Sequence, residues 1–193
     1  MRICVYGAAS PTIDNIYKEM VEHLGKTMVQ RGHSLVFGGG GNGLMGAVAK
    51  GVHSAGGHII GVVPQFFLDE KIEAMFEYCN EMILTETMRE RKQTMEDYAD
   101  AFIIVPGGIG TYEEFFEILT LKQLCRHNKP IAVYNIKDYY NEIDIAMKEA
   151  MRKNFIKDNC DELYELTDDL EKLFEYIENP HQAARTVKEL KDG

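Results

Sequence analysis

The chain has 193 residues, 45% of them hydrophobic, and a formal net charge of −10 at pH 7. That length suits one domain over residues 1–193 with enough apolar material for a core. No apolar run reaches the ~20 residues of a membrane-spanning helix, and the acidic balance argues against non-specific nucleic-acid binding.

In chain order, strand-like runs alternate with helical ones. RICVYG reads as a strand, followed by a helix over Ile13 to Gln30. HSLVFGG is the next strand, then a glycine loop and a helix over Leu44 to Ser54. HIIGVVP and EMILTE are further strands, and a helix follows from Met88 to Tyr98. AFIIVPGG leads into a helix from Thr111, and PIAVYN into a helix over Tyr139 to Lys153. The remainder, from Asp158, is charged and reads as mostly helical, with a helix start at Asp168 and capping-box spacing to Glu171. Near-continuous apolar strands alternating with helices predict a doubly wound α/β fold, a parallel sheet covered on both faces. In such folds ligands bind at the carboxyl ends of the strands, near the switch point in strand order.

MRICVYGAAS enters a strand directly and carries no signal-peptide pattern. Cys4, Cys79, Cys125 and Cys160 are scattered, with no CxxC pair. They read as reduced thiols, so a cytoplasmic protein is expected. His23, His33, His53, His58, His127 and His181 form no HxxxH pair, and no metal site is expected.

Three segments could carry chemistry. Gly38 to Gly46, GGGGNGLMG, contains a G-x-G-x-x-G match. It follows the second strand rather than the first, and the next strand ends in Pro64 with no acidic residue to hold a ribose hydroxyl. No Gly-Lys-Ser/Thr follows, so it is not a Walker loop. Ordering four consecutive glycines is entropically unfavourable, so either a ligand contact or tight packing is expected there. MRERK, Met88 to Lys92, reads as a solvated helix face in most settings. Lying just after a strand, it places Arg91 and Lys92 where they could meet an anion.

The third segment, PGGIGTYEEFFE from Pro106 to Glu117, has two readings. In the plain one, Thr111 and Glu114 form a capping box and the glycines only turn the chain. In the other, Gly107, Gly108, Gly110 and Thr111 form an anion site at a helix start. Glu113, Glu114 and Glu117 would then lie within a turn of a phosphate.

Together these segments resemble the lonely guy phosphoribohydrolases, often mislabelled lysine decarboxylases. Pro106 to Glu114 matches their PGGxGTxxE motif, Met88 to Lys92 their MxxRK segment, and Gly39 to Gly46, with Gly38 ahead of it, their GGGxxGLMG loop. The likeness runs from the first strand to about Asn135. It implies a Rossmann-like fold, no redox cofactor and commonly a homodimer. It also implies hydrolysis of the N-glycosidic bond of a nucleoside 5′-monophosphate, a cytokinin riboside monophosphate or AMP. The family's catalytic arginine and glutamate map onto Arg91 and Glu114. The expected substrate-binding residues are Ser10, Gly39, Gly40, Gly41, Met88, Lys92, Gly107, Gly108, Gly110 and Thr111. One departure is Gly7-Ala8-Ala9-Ser10, where the family usually has Gly-Ser-Ser.

On this reading Glu114 stabilises positive charge on the sugar and orients the attacking water. Arg91 is expected to hold Glu114 ionised. Two rivals remain at this stage: a decarboxylase, which would normally need pyridoxal phosphate on a lysine, and a nucleotide-binding carrier without catalysis.

Overall fold

The computed structural model describes residues 1–179 together with Val187; His181 lies outside them. The strands are β1 (Arg2–Tyr6), β2 (Ser34–Phe37), β3 (Ile59–Pro64), β4 (Glu81–Thr85), β5 (Ala101–Ile104), β6 (Ile131–Tyr134) and β7 (Glu165–Thr167). They form one sheet of order β4-β3-β2-β1-β5-β6-β7, parallel at every pairing. The helices are α1 (Asn15–Gln30), α2 (Gly43–Ser54), a short α3 (Gln65–Asp69), α4 (Met88–Tyr98), α5 (Ile109–Gln123), α6 (Asn141–Arg152) and α7 (Leu170–Glu178). The fold is the doubly wound, Rossmann-like α/β architecture expected from the strand–helix alternation.

Side-chain alternation along the central strands splits the core in two. Ile3 and Val5 of β1, with Ala101 and Ile103 of β5, pack against α1, α2 and α7. Cys4 and Tyr6, with Phe102 and Ile104, pack against α4, α5 and α6. Burial on both faces explains why these strands read as continuous apolar runs. Helices α1 and α2 approach closely at Gly25 and Gly51, where an added Cβ would meet the other helix's backbone.

From β1 the chain steps outward through β2, β3 and β4, then returns to the other side of β1 as β5. The switch point therefore lies between β1 and β5, and the loops after β1, β2 and β5 converge there.

One expectation is extended and one corrected. Among its described residues the tail is helical over Cys160–Leu163 and Leu170–Glu178, but between them Glu165–Thr167 adds a seventh strand beside β6. Three residues are too few to show a period against a charged background. Helix α7 is capped by Asp169, whose carboxylate accepts from the N–H groups of Glu171 and Lys172, so the Asp168 capping box does not form.

Candidate active site

Helix α5 begins at Ile109, two residues before the expected start. Its N-cap is Gly108, which offers no side chain, and its first turn holds no acidic residue. The Thr111–Glu114 capping box is therefore absent: Thr111 sits inside the helix and is buried. The opening N–H groups of α5 are left for another acceptor, with the positive end of the helix dipole behind them. An added Cβ at Gly108 or Gly110 would meet nothing within 4 Å, so both open onto free space. The carbonyls before them are tied back. Tyr140 donates its hydroxyl to the Val105 oxygen (2.8 Å), Ala8 its N–H to that of Pro106 (3.1 Å), and Tyr139 its hydroxyl to that of Gly107 (2.7 Å).

Helix α4 does carry a capping box, Thr87 with Glu90. One turn in, Arg91 turns toward the sheet. Its Nε donates to the Val62 oxygen (3.2 Å) and a terminal nitrogen to that of Gly38 (3.3 Å). Its guanidinium lies 5.6 Å from the Phe67 ring centroid. The neighbouring Lys92 turns toward α5 instead, pairing with Glu113 and, at 2.7 Å, with Glu117. Burial pulls the Lys92 pKa down, but the hydrogen bonds to Glu113 and Glu117 outweigh it and raise it.

These elements enclose a cleft of about 450 Å³ over the switch point. Of the sequence-predicted residues, Ser10, Gly40, Arg91, Gly108, Gly110, Thr111 and Glu114 line it. Gly39, Gly41, Met88, Lys92 and Gly107 do not. Gly41 opens instead on a smaller cavity of about 190 Å³, shared with Asn42 and Gly43 at the start of α2. The Leu44 N–H of that start is already donated to the Ala8 oxygen (2.8 Å). No described histidine lines the main cleft.

Glu114 is largely enclosed by protein yet open to the cleft. Burial pushes its pKa up to about 7, against the lowering influence of Arg91. The expectation that Arg91 simply holds this carboxyl ionised is thus corrected: desolvation exceeds the guanidinium's attraction, and the group is poised near neutrality. A carboxyl so placed can exchange a proton with a ligand at ordinary pH.

Sequence reasoning missed Phe67 and Glu73, which also line the cleft. Phe67 lies in the short helix α3 and Glu73 in the irregular stretch that follows it, both too brief for a periodicity to mark them. The tyrosines behind the β5–α5 loop read only as a helix start.

A parallel sheet with a ligand cleft over its switch point places the protein in the class of doubly wound α/β ligand-binding proteins. Comparison with known proteins narrows this. The family described as "Possible lysine decarboxylase" matches residues 45–177. A probable cytokinin riboside 5′-monophosphate phosphoribohydrolase of Oryza sativa subsp. japonica is 38% identical over 186 residues, covering 94% of this chain and 75% of the relative. A cytokinin riboside 5′-monophosphate phosphoribohydrolase of Arabidopsis thaliana is 38% identical over 156 residues, covering 81% of this chain and 68% of the relative. The chain belongs to this lonely guy phosphoribohydrolase family. Among solved structures, a molybdenum cofactor carrier protein from Chlamydomonas reinhardtii matches in fold, with a TM-score of 0.66 at 19% identity over 92% of this chain and 95% of its own.

Proposed function

We propose that this protein hydrolyses the N-glycosidic bond of a nucleoside 5′-monophosphate, a cytokinin riboside monophosphate or AMP, to free base and ribose 5-phosphate. The observation that carries this is a single cleft lined by an uncapped, glycine-opened helix start and by Arg91 and Glu114 from two different helices. The 5′-phosphate occupies the α5 start, held by backbone N–H groups near Gly108 and Gly110 and by the Thr111 hydroxyl. Ser10 lies on the same cleft wall from the β1 loop. That grip fixes the ribose along the first turn and a half of α5, where Glu114 projects.

As the C1′–N bond breaks, its electron pair leaves with the base and positive charge grows on the sugar ring. The Glu114 carboxylate stabilises that charge. Water adds to C1′, and its proton passes to Glu114 and then to the departed base. Arg91 is anchored on two carbonyl groups before any ligand arrives, and it keeps the Glu114 pKa from rising further. No redox cofactor or metal enters this scheme. Lys92, paired with two carboxylates, stays charged, the opposite of what a Schiff-base lysine needs.

A homodimer belongs to the same reading. Met82 and Leu84 are exposed on one face of edge strand β4, with Ile72 and Tyr78 exposed just before it. A bare apolar edge invites a partner. A cytoplasmic location is part of it too, since the four cysteines are thiols.

The test is direct. Incubation with AMP is expected to release adenine and ribose 5-phosphate in equal amounts. Saturable AMP binding with no adenine released would instead make the protein a carrier.

A further inference from the structure

An anion at the start of α5 needs N–H groups that face it. In a planar trans peptide the C=O and the following N–H point in opposite directions, so holding one aims the other. Within α5 the helix does this itself. The Tyr112 N–H donates to the Gly108 oxygen (3.0 Å), which fixes the peptide carrying the Ile109 N–H. The peptide before it, Gly107–Gly108, lies outside that ladder and between two glycines. Flipping it would carry the Gly108 φ from −97° to the positive side, which glycine enters freely. A carbonyl would then face the phosphate in place of an N–H.

Tyr139 opposes that flip. Its hydroxyl donates to the Gly107 oxygen (2.7 Å). Gly108 lines the cleft and Tyr139 does not, so the carbonyl is drawn away from the ligand space and the Gly108 N–H is turned toward it. Among the described residues no acceptor takes that N–H. The Tyr112 hydroxyl donates weakly to the Tyr139 oxygen (3.4 Å), which leaves the Tyr139 proton for Gly107. Burial, followed by that bond, pushes the Tyr139 pKa up to about 12, so the phenol stays a donor. Its ring meets Tyr17 and Tyr140 edge-on.

The turn that delivers Tyr139 is strained. Lys137 and Asp138, just before it, have φ of +54° and +60°, although neither is glycine. Asn135 holds the turn closed, its Oδ1 accepting from the Tyr140 N–H (2.8 Å). Consecutive left-handed residues persist only where the surroundings over-determine them, and such strain gathers at functional positions. Tyr140 does a different task. Its hydroxyl holds the Val105 oxygen (2.8 Å), but the nitrogen of that peptide belongs to Pro106 and has no N–H to aim. Tyr140 is 1% exposed and Tyr139 38%, so loss of the Tyr140 hydroxyl falls mainly on the fold.

We propose that Tyr139 is a positioning residue for phosphate binding, its hydroxyl holding the Gly107–Gly108 peptide so that the Gly108 N–H faces the 5′-phosphate. The inference rests on the phosphate placement in the phosphoribohydrolase reading given above. Tyr139 touches neither the phosphate nor the reacting atoms.

The experiment is Tyr139→Phe, which keeps the ring and removes the hydroxyl. KM for AMP is expected to rise about tenfold, the size of one hydrogen bond to a charged group. The change in kcat should stay under about threefold, because Glu114 and Arg91 are untouched. Equilibrium binding of the two products separates this from a general loosening of the cleft. The Kd for ribose 5-phosphate should rise by about the same factor, and that for adenine, which carries no phosphate, by less than about twofold. Tyr140→Phe should give the larger fall in melting temperature and the smaller rise in KM. An unchanged KM in Tyr139→Phe, equal weakening of both products, or an equal rise in KM in Tyr140→Phe overturns the proposal. So does a Tyr139→Phe that melts below the assay temperature, since the hydroxyl would then serve the fold. If wild type binds AMP but releases no adenine, the Kd for AMP replaces KM. A tenfold rise there keeps the role of Tyr139 and removes only the hydrolase reading. Hydrolysis with unaltered affinity for ribose 5-phosphate removes only Tyr139, and a wild type that neither binds nor hydrolyses AMP removes both.

Discussion

Two glycine-rich loops flank the cleft, and they are glycine-rich for different reasons. In the loop after β2 the glycines are filled against. Arg91 lies over Gly38, Glu73 over Gly40, and the Gly41 carbonyl is where a Cβ on Gly46 would go. Gly39 and Gly43 have φ of +80° and +57°, the left-handed region that other residues enter at a penalty. In the loop after β5, Gly108 and Gly110 have ordinary φ and empty space beside them. The first loop is a packed platform; the second is a vacancy shaped by the backbone. A run of glycines thus says that side chains are excluded, but not by what.

The largest effect expected around this contrast comes from Glu114→Gln, above the vacant loop. It should lower kcat for AMP by about 10³-fold with the fold intact, measured by steady-state adenine release and circular dichroism. If Glu114 served only as a cap, stability and activity would fall together.

The loops themselves should respond oppositely. Gly39→Ala is expected to lose about 2 kcal/mol in urea unfolding, from the strained φ and the collision with Val63. Gly110→Ala should be neutral or gain up to about 1 kcal/mol, because alanine favours a helix. Its added methyl should nevertheless raise KM for AMP by about 10- to 100-fold by crowding the phosphate. Equal stability losses at the two positions would break the comparison.

pH sharpens it further. The Glu114 pKa is about 7 in the fold, raised from the ordinary carboxyl value of 4.5. The folded protein therefore holds an extra proton between those values, and stability falls as pH rises through that window. Glu114→Gln removes the loss, so at pH 8 it should be more stable than wild type by about 3 kcal/mol, with no gain at pH 4. For wild type, kcat/KM should rise with pH through a limb centred at about 7.

The smallest effect belongs to Lys92→Ala. Lys92 lowers the Glu114 pKa less than Arg91 does, so the limb should move slightly upward. A missing shift would confine Lys92 to tying α4 to α5.

Much of this was legible in the sequence because it depends on local pattern. The buried parallel strands declare themselves by unbroken apolar runs, and Arg91 and Glu114 stand in motifs whose spacing is fixed by a strand–turn–helix unit. What escaped depends on distant parts of the chain. Gly38 and Gly40 are explained only once Arg91 and Glu73 are brought back over them. Glu73 supplies an acidic side chain beside the second glycine loop, which the end of β3 lacks, but it does so from nine residues beyond Pro64. The Thr111–Glu114 spacing fits a capping box, yet the chain enters the helix earlier, at Ile109. The Glu114 pKa also escaped, since burial is a property of the assembled cleft.

The hydroxyls of Tyr139 and Tyr140 reach back to the carbonyls beneath the β5–α5 turn. Rigidity of the proposed phosphate site is thus delegated to the β6–α6 junction, a stretch that belongs to none of the recognised motifs. Inherited or engineered changes there would slacken the grip on ligand while every signature residue stayed in place, and a scan of motifs alone would pass such a protein as intact.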